Sequence, residues 1–306
     1  MKKAILFLFV AVMFFCSCKK DQKKGPVTPS KTYKVNFNVS AFTQEIIGST
    51  KNQLQTEGLK SNSTIGIQNY LTELYYVVTE KNDYNQTPVH MLKQDSTASN
   101  FGTISDNLPA GDYTIMIAAG KKDLLFSTTH SGDIGPHWDI NYQPFRSPWK
   151  DTFFDKFDIT VSGAINQSVT LNRIVGQLEV NILDAIPANA SSFGVTVNDE
   201  NFTYIVYPSE IFRDLSTLTI KTAIPPALIG TTNYKKDIII NNTGTPFTVT
   251  IVCYDASNVP IGTAIVNNVT CEKNRKTILS GKLFGTNNTF NVNLSPWNPT
   301  PVTTPF

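Results

Sequence analysis

Past its first eighteen residues the chain is patterned with a period of two. Tyr33, Val35, Phe37 and Val39 alternate with Lys34, Asn36, Asn38 and Ser40, which predicts a strand buried on one face. YLTELYYVVTE is dense in aromatic and β-branched residues, and LPAGDYTIMIAAG sets a Pro-Ala-Gly-Asp turn before another apolar run; both predict strands. Ala41 to Gln68 has weak periodicity and many polar residues, so a long loop is expected there. Phe126 to Phe157 is aromatic and irregular, and reads as a crossing or interdomain region. A second series opens with SVTLNRIVGQLEVNIL, where Ile174, Gly176, Leu178, Val180 and Ile182 share a face, and a new sheet is expected to start here. FGVTV, FTYIVY, LTI, DIII, PFTVTIVCYD, GTAIV, KTILSGKLFG and TFNVNL follow, at roughly the ten-residue spacing of β-sandwiches. The pattern predicts an all-β protein with two tandem sandwich domains, 32–160 and 161–295. The tail 296–306 carries Pro296, Pro299, Pro301 and Pro305, each without the N–H a ladder uses, and should be extended and poorly paired.

The first residues are built differently. MKKAILFLFVAVMFFCSC has Lys2 and Lys3, then an apolar run from Ala4 to Phe15, then small and thiol residues, which is the layout of a signal peptide. As a helix that run is about 18 Å long, against a bilayer core of about 30 Å, so it directs export and does not span. The small Ser17 before Cys18 resembles the lipobox of bacterial lipoproteins, and Cys18 fits better than Cys16, which follows bulky Phe15. The expectation is a signal peptide over 1–17 and a lipid on Cys18. The alternative, an ordinary signal peptide, would release a soluble protein. Residues 18–31, charged and Pro-containing, read as a tether.

Charge narrows the function. Removing Lys2 and Lys3 from 26 basic residues leaves 24 against 24 acidic ones. From Gly25 onward, without Lys19, Lys20, Lys23, Lys24 and Asp21, 20 bases face 23 acids. No basic face for nucleic acid is visible. Three histidines, His90, His130 and His137, leave little material for general-base or metal chemistry, and no phosphate loop, nucleophile elbow or His-Glu-x-x-His occurs. The chain reads as a non-enzyme without cofactor or metal.

Three features still invite chemistry. His130, Asp133, His137 and Asp139 lie within one Gly-Pro loop and are metal-ligand types, though spacing alone supplies no geometry; an ordinary loop is expected. Trp138, Tyr142, Phe145, Trp149, Phe153 and Phe154 could stack on sugars, mark a protein hot spot or fill an interdomain core. Cys253 and Cys271 lie outside the reducing cytosol, so a disulfide is allowed, the other reading being two buried thiols.

Taken in order, Cys18, NLPAGDYTIMIAAG, WKDTFFDKFDITV, VTLNRIVGQLEVNILDAIP with Arg173, and RKTILSGKLFG resemble the FimB/Mfa2-type fimbrial anchor lipoproteins and related fimbrillins of Bacteroidetes. The resemblance implies two transthyretin-like sandwiches, a location on the outer membrane and in the fimbrium, and assembly with pilin subunits by strand addition in support of cell adhesion. Strand addition completes an open sheet edge with a partner's backbone. Polymerising members lose an N-terminal strand, at an arginine in the best-known cases; here the first arginine is Arg146, so no such cut releases only Tyr33 to Val39, which favours an anchor or minor subunit. The runner-up is a surface glycan-binding lipoprotein that stacks sugars on the aromatic stretch Trp138 to Phe154.

Overall fold

A computed structural model describes residues 31–42, 67–131, 135–206, 215–285 and 288–297. The signal peptide, Cys18, nearly all of the tether, most of the predicted long loop and the tail beyond Trp297 lie outside the described residues. Nine strands come first: β1 (Thr32–Phe42), β2 (Glu73–Glu80), β3 (Pro88–Asp95), β4 (Thr103–Pro109), β5 (Gly111–Gly120), β6 (Leu124–Ser131), β7 (Gly135–Tyr142), β8 (Thr152–Val161) and β9 (Ile165–Arg173). Seven of them pair in the order β3-β2-β5-β8-β9-β1-β4. The sheet turns over where β8 meets β9, a junction paired only through Phe153–Arg173 and Phe154–Asn172. Its two halves then enclose a core of Val35, Phe37, Tyr76, Val78, Ile104, Leu108, Ile115, Ile117 and Leu171.

β2 and β5 are apolar almost without alternation because both of their faces are covered. Tyr76, Val78, Ile115 and Ile117 face the first core. Tyr75, Val77, Met116 and Ala118 face a second one, roofed by Phe126, Trp138, Ile140 and Tyr142. The roof is a three-stranded sheet, β6, β7 and the short β12 (Tyr204–Val206). The Phe126–Phe157 stretch, expected to be an irregular crossing, is thus strand for most of its length.

The later strands are β10 (Gly176–Ile182), β11 (Ser192–Asn201), β13 (Leu215–Ala223), β14 (Tyr234–Ile240), β15 (Phe247–Tyr254), β16 (Pro260–Val269), β17 (Arg275–Gly281) and β18 (Phe290–Pro296). They form two four-stranded sheets, β14-β10-β17-β18 and β13-β11-β15-β16, packed on Leu178, Val180, Val195, Val249, Ile251 and Leu279. β15 alternates buried and half-buried residues along its whole length, as a strand covered on one face must. Each fully buried Leu, Ile, Val or Phe contributes about 1.5 to 3 kcal/mol.

One strand corrects the sequence reading. β9 was expected to open the second sheet, yet it runs parallel to β1, Val35 opposite Ile165 through Phe42 opposite Leu171. The chain passes to the second sandwich only after Arg173. At that passage Gly176 lies so close to the Glu272 carbonyl oxygen that a Cβ would stand 2.6 Å from it, and only glycine leaves this space. Among the described residues no helix is long and apolar enough to cross a membrane.

Candidate functional site: a buried hub and an open edge

Arg173, at the end of β9, has a side chain with no solvent exposure. Its Nε and Nη2 donate to the two carboxylate oxygens of Asp151 at 2.7 and 3.0 Å, and its Nη1 donates to Asn274 Oδ1 at 2.7 Å. The guanidinium lies 4.9 Å from the Phe153 ring centre and 4.0 Å from that of Trp297. A planar fork that is always charged suits this bidentate and stacked arrangement, which a lysine cannot reproduce. One residue thereby ties β8 and β9 to the turn before β17 and to the end of β18. Trp297 itself is buried in the core shared with Trp138 and Trp149.

Among the described residues β18 is an edge strand, paired only with β17. Val292 stands opposite Leu279 and Leu294 opposite Thr277. Directly opposed residues project from the same face of a sheet, and Leu279 and Thr277 are buried at 0% and 1% exposure. Val292 and Leu294 therefore point to the core side, yet they are 46% and 47% exposed. β16, at the edge of the facing sheet, is tied to the segment before β18 by Asn288 Nδ2, which donates to the Thr263 carbonyl at 2.8 Å. Among the described residues no ladder joins β16 to β18.

The free edges differ in charge. β14 carries Lys235, Lys236 and Asp237, β13 carries Lys221, β3 carries His90 and Lys93, and β4 carries Asp106, which is how edges avoid unwanted pairing. In the first sandwich the two ends of the folded-over sheet are latched. His90 Nδ1 on β3 lies 2.7 and 2.8 Å from the carboxylate oxygens of Asp106 on β4, the Tyr76 hydroxyl donates to Asp106 Oδ2 at 3.2 Å, and Gln94 Nε2 donates to the Thr103 carbonyl at 2.8 Å. PIGTAIVNNV in β16 and FNVNLSP in β18 contain no ionisable side chain.

The sequence-predicted residues fall elsewhere. Cys18 is outside the described residues. Cys253 and Cys271 are free and buried, so the bridge that sequence allowed is not formed. Cys253 pairs with Gly262 at one end of β15, while Cys271 follows Val269, which pairs with Phe247 at the other end. The intervening strand is about 20 Å long, and a disulfide needs Cα atoms within about 7 Å. Burial pushes the Cys253 thiol up to about 11 and Cys271 up to about 12. With Cys16 and Cys18 replaced by serine, the folded chain is expected to leave Ellman's reagent unreacted at pH 8 and to react at both thiols in guanidinium; rapid labelling of the folded chain would refute this.

Of the readings open for the aromatic stretch, the rings take the interior one. Trp138, Tyr142, Trp149, Phe153 and Phe154 are buried, between 1% and 8% exposed, and only Phe145 of the set is open, at 54%. Rings packed in a core cannot stack on a sugar. All three tryptophans are 6% exposed or less, so acrylamide should quench native fluorescence weakly and emission should be blue-shifted; strong quenching would return these rings to the surface. Asp133 and the His130 side chain are outside the described residues. His137 Nδ1 lies 2.8 Å from the Gly135 carbonyl and its Nε2 3.2 Å from Asp139 Oδ1, with the Thr129 hydroxyl donating to Asp139 Oδ2 at 2.5 Å. Burial raises the Asp139 carboxyl, and these contacts serve the β6–β7 sheet. Among the described residues no group of three His, Cys, Asp or Glu is placed to hold a metal.

No family model matches the chain, and no curated protein matches it by sequence. Solved structures do. A proposed adhesin from Bacteroides thetaiotaomicron covers 89% of this chain with 100% of its own length, at 10% identity and a TM-score of 0.53. A proposed polysaccharide-binding protein from the same organism covers 87% with 99% of its length, at 9% identity and a TM-score of 0.52. The chain shares their fold. The fimbrial anchor protein Mfa2 from Porphyromonas gingivalis also aligns, over 87% of this chain and 98% of its own, at 10% identity and a TM-score of 0.46.

Proposed function

We propose that this chain is a surface lipoprotein, held at the outer membrane through Cys18, that serves as a fimbrial anchor or minor fimbrial subunit and joins pilin subunits by β-strand addition in support of cell adhesion. The observation that carries the reading is the open edge of β18, where core-facing Val292 and Leu294 are half exposed. Strand addition needs such an edge: unpaired backbone groups beside an apolar strip. The lipobox-like Ser17–Cys18, the order of motifs around Arg173 and the fold shared with a proposed adhesin support it. In this reading 1–17 is removed, 18–31 is the tether, and two sandwich domains meet near Arg173. The chain is read as a non-enzyme. The glycan-binding alternative loses its platform, because those rings are interior.

Cross-linking on intact cells, followed by mass spectrometry of wild type and Cys18→Ala, tests this. The expected result is an acylated Cys18 still joined to Tyr33, with cross-links to fimbrillin-like subunits that disappear in the variant. A mature chain that begins beyond Val39 would make it a polymerising subunit. Cross-links only to transport proteins would overturn the assembly role.

A further inference from the structure

We propose that the seam between β16 and β18 is an acceptor site, that its occupant is an extended, uncharged strand with apolar residues at alternate positions from a different fimbrial subunit, and that β18 itself stays in place. This rests on the strand-addition reading above and assigns the edge and the partner's chemistry.

Three observations converge on this seam. Val292 and Leu294 point to the core side yet remain half exposed, so the sandwich lacks cover along this strip. A partner strand hydrogen-bonded to β18 would place its own alternate side chains over that strip. The second observation is electrostatic. Within β16 and β18 no side chain is ionisable, whereas β13, β14, β3 and β4 all carry charge at their edges. A charged strand entering here would lose its hydration with no counter-charge to meet it. An uncharged one, with polar residues outward beside Asn291 and Asn293, is the complement.

The third observation separates acceptor from donor. A strand that leaves its own sheet must first release its end. The end of β18 is held by Trp297, which is buried and stacked 4.0 Å from the fully buried Arg173 guanidinium. Extraction would uncover the tryptophan and strip Arg173 of a partner. The staple keeps β18 as a platform, and the chain as a subunit that receives.

A second copy of this chain does not suit the seam. Its own β18 is already bound to β17 and would bring a folded sandwich with it. Asn288, just before β18, donates to the Thr263 carbonyl on β16 and so ties that end of the seam. The tail beyond Trp297 carries Pro299, Pro301 and Pro305, which cannot donate to a ladder.

The test uses the full chain on the producing cells, with benzoylphenylalanine in place of Val292 in one strain and of Met91, exposed on β3, in another. Irradiation at 292 should yield a cross-link that maps to an uncharged, alternating segment of another fimbrial subunit, and irradiation at 91 should yield none. Val292→Asp with Leu294→Asp should lower incorporation into sheared fimbriae by about tenfold or more, with an unchanged melting temperature because both sites are half exposed. Trp297→Ala should lower the 292 cross-link several-fold. A rise in that variant would make β18 a donor and overturn the proposal. Cross-links from 91 alone would overturn the assigned edge while strand addition survives. Cross-links to a second copy would overturn the assigned partner. Absence of cross-links at both positions, with the chain on the surface, would remove the strand-addition reading as well.

Discussion

Arg173→Met is expected to destabilise the protein by about 3 to 5 kcal/mol, the usual cost of removing one member of a buried charged pair. In a domain pair of this size that lowers the melting temperature by roughly 10 °C. The loss has several parts. Asp151, whose side chain is 24% exposed, loses the two Arg173 N–H donors to its carboxylate. Asn274 Oδ1 loses its donor, and the Phe153 and Trp297 rings lose the cation between them. Arg173→Lys should recover little, since an ammonium cannot span both carboxylate oxygens and stack on Trp297 together. A double-mutant cycle with Asp151→Asn gives the pair its own number, and a coupling near zero would show that packing against the rings, and not the ion pair, holds the hub. Because the hub joins β9, β17 and the end of β18, hydrogen exchange should accelerate in both sandwiches at once. Acceleration confined to β8 and β9 would contradict its role as a joint.

Glu200→Gln is expected to stabilise the protein at pH 8 and to change little at pH 5. Glu200 is completely buried on β11, and burial pushes its carboxyl up to about 8, against the lowering effect of backbone donors at Asn241, Asn242 and Asn201. Asn241 N donates to Oε1 at 2.7 Å, while Oε2 has no partner among the described residues. The folded state therefore holds a proton that the unfolded chain releases near its ordinary value of about 4.3. The folded state binds more protons between these two values, so stability falls as pH rises from about 4.5 to 8 and levels off above. At pH 7 the loss is on the order of 3 to 4 kcal/mol. Glutamine mimics the protonated carboxyl and removes the loss. Asp139, Asp155 and Asp237 are also raised by burial and act in the same direction, so the diagnostic quantity is the difference between wild type and variant, measured by denaturant titration across pH. A difference that does not change between pH 5 and pH 8 would mean that Glu200 folds ionised.

β1 and β15, which alternate cleanly in sequence, lie where the period of two places them, because each buries one face and the pleat leaves no other choice. β6 and β7 lie in the stretch that reads as irregular, although Trp138, Ile140 and Tyr142 alternate with His137, Asp139 and Asn141. Both faces of β7 are covered, so His137, Asp139 and Asn141 sit inside and the contrast that marks a half-buried strand fades. β9 was assigned to the wrong sheet, since alternation reports which face of a strand is buried and carries no information on which strand lies beside it.

The candidate site was less legible for a related reason. Arg173 stood out in sequence as part of a motif, but its ligands Asp151, Asn274 and Trp297 are 22, 101 and 124 positions away, and no local rule connects them. The half exposure of Val292 and Leu294 cannot be read from FNVNLSP, which has the alternation of a strand that closes a core. Sequence alone determined the all-β class, because it follows from local periodicity and residue chemistry. Tertiary structure decided that Cys253 and Cys271 lie at opposite ends of a strand, that the aromatic stretch is interior, and that β18 is left open, since each depends on which distant strands meet, and that is settled by packing the whole chain at once.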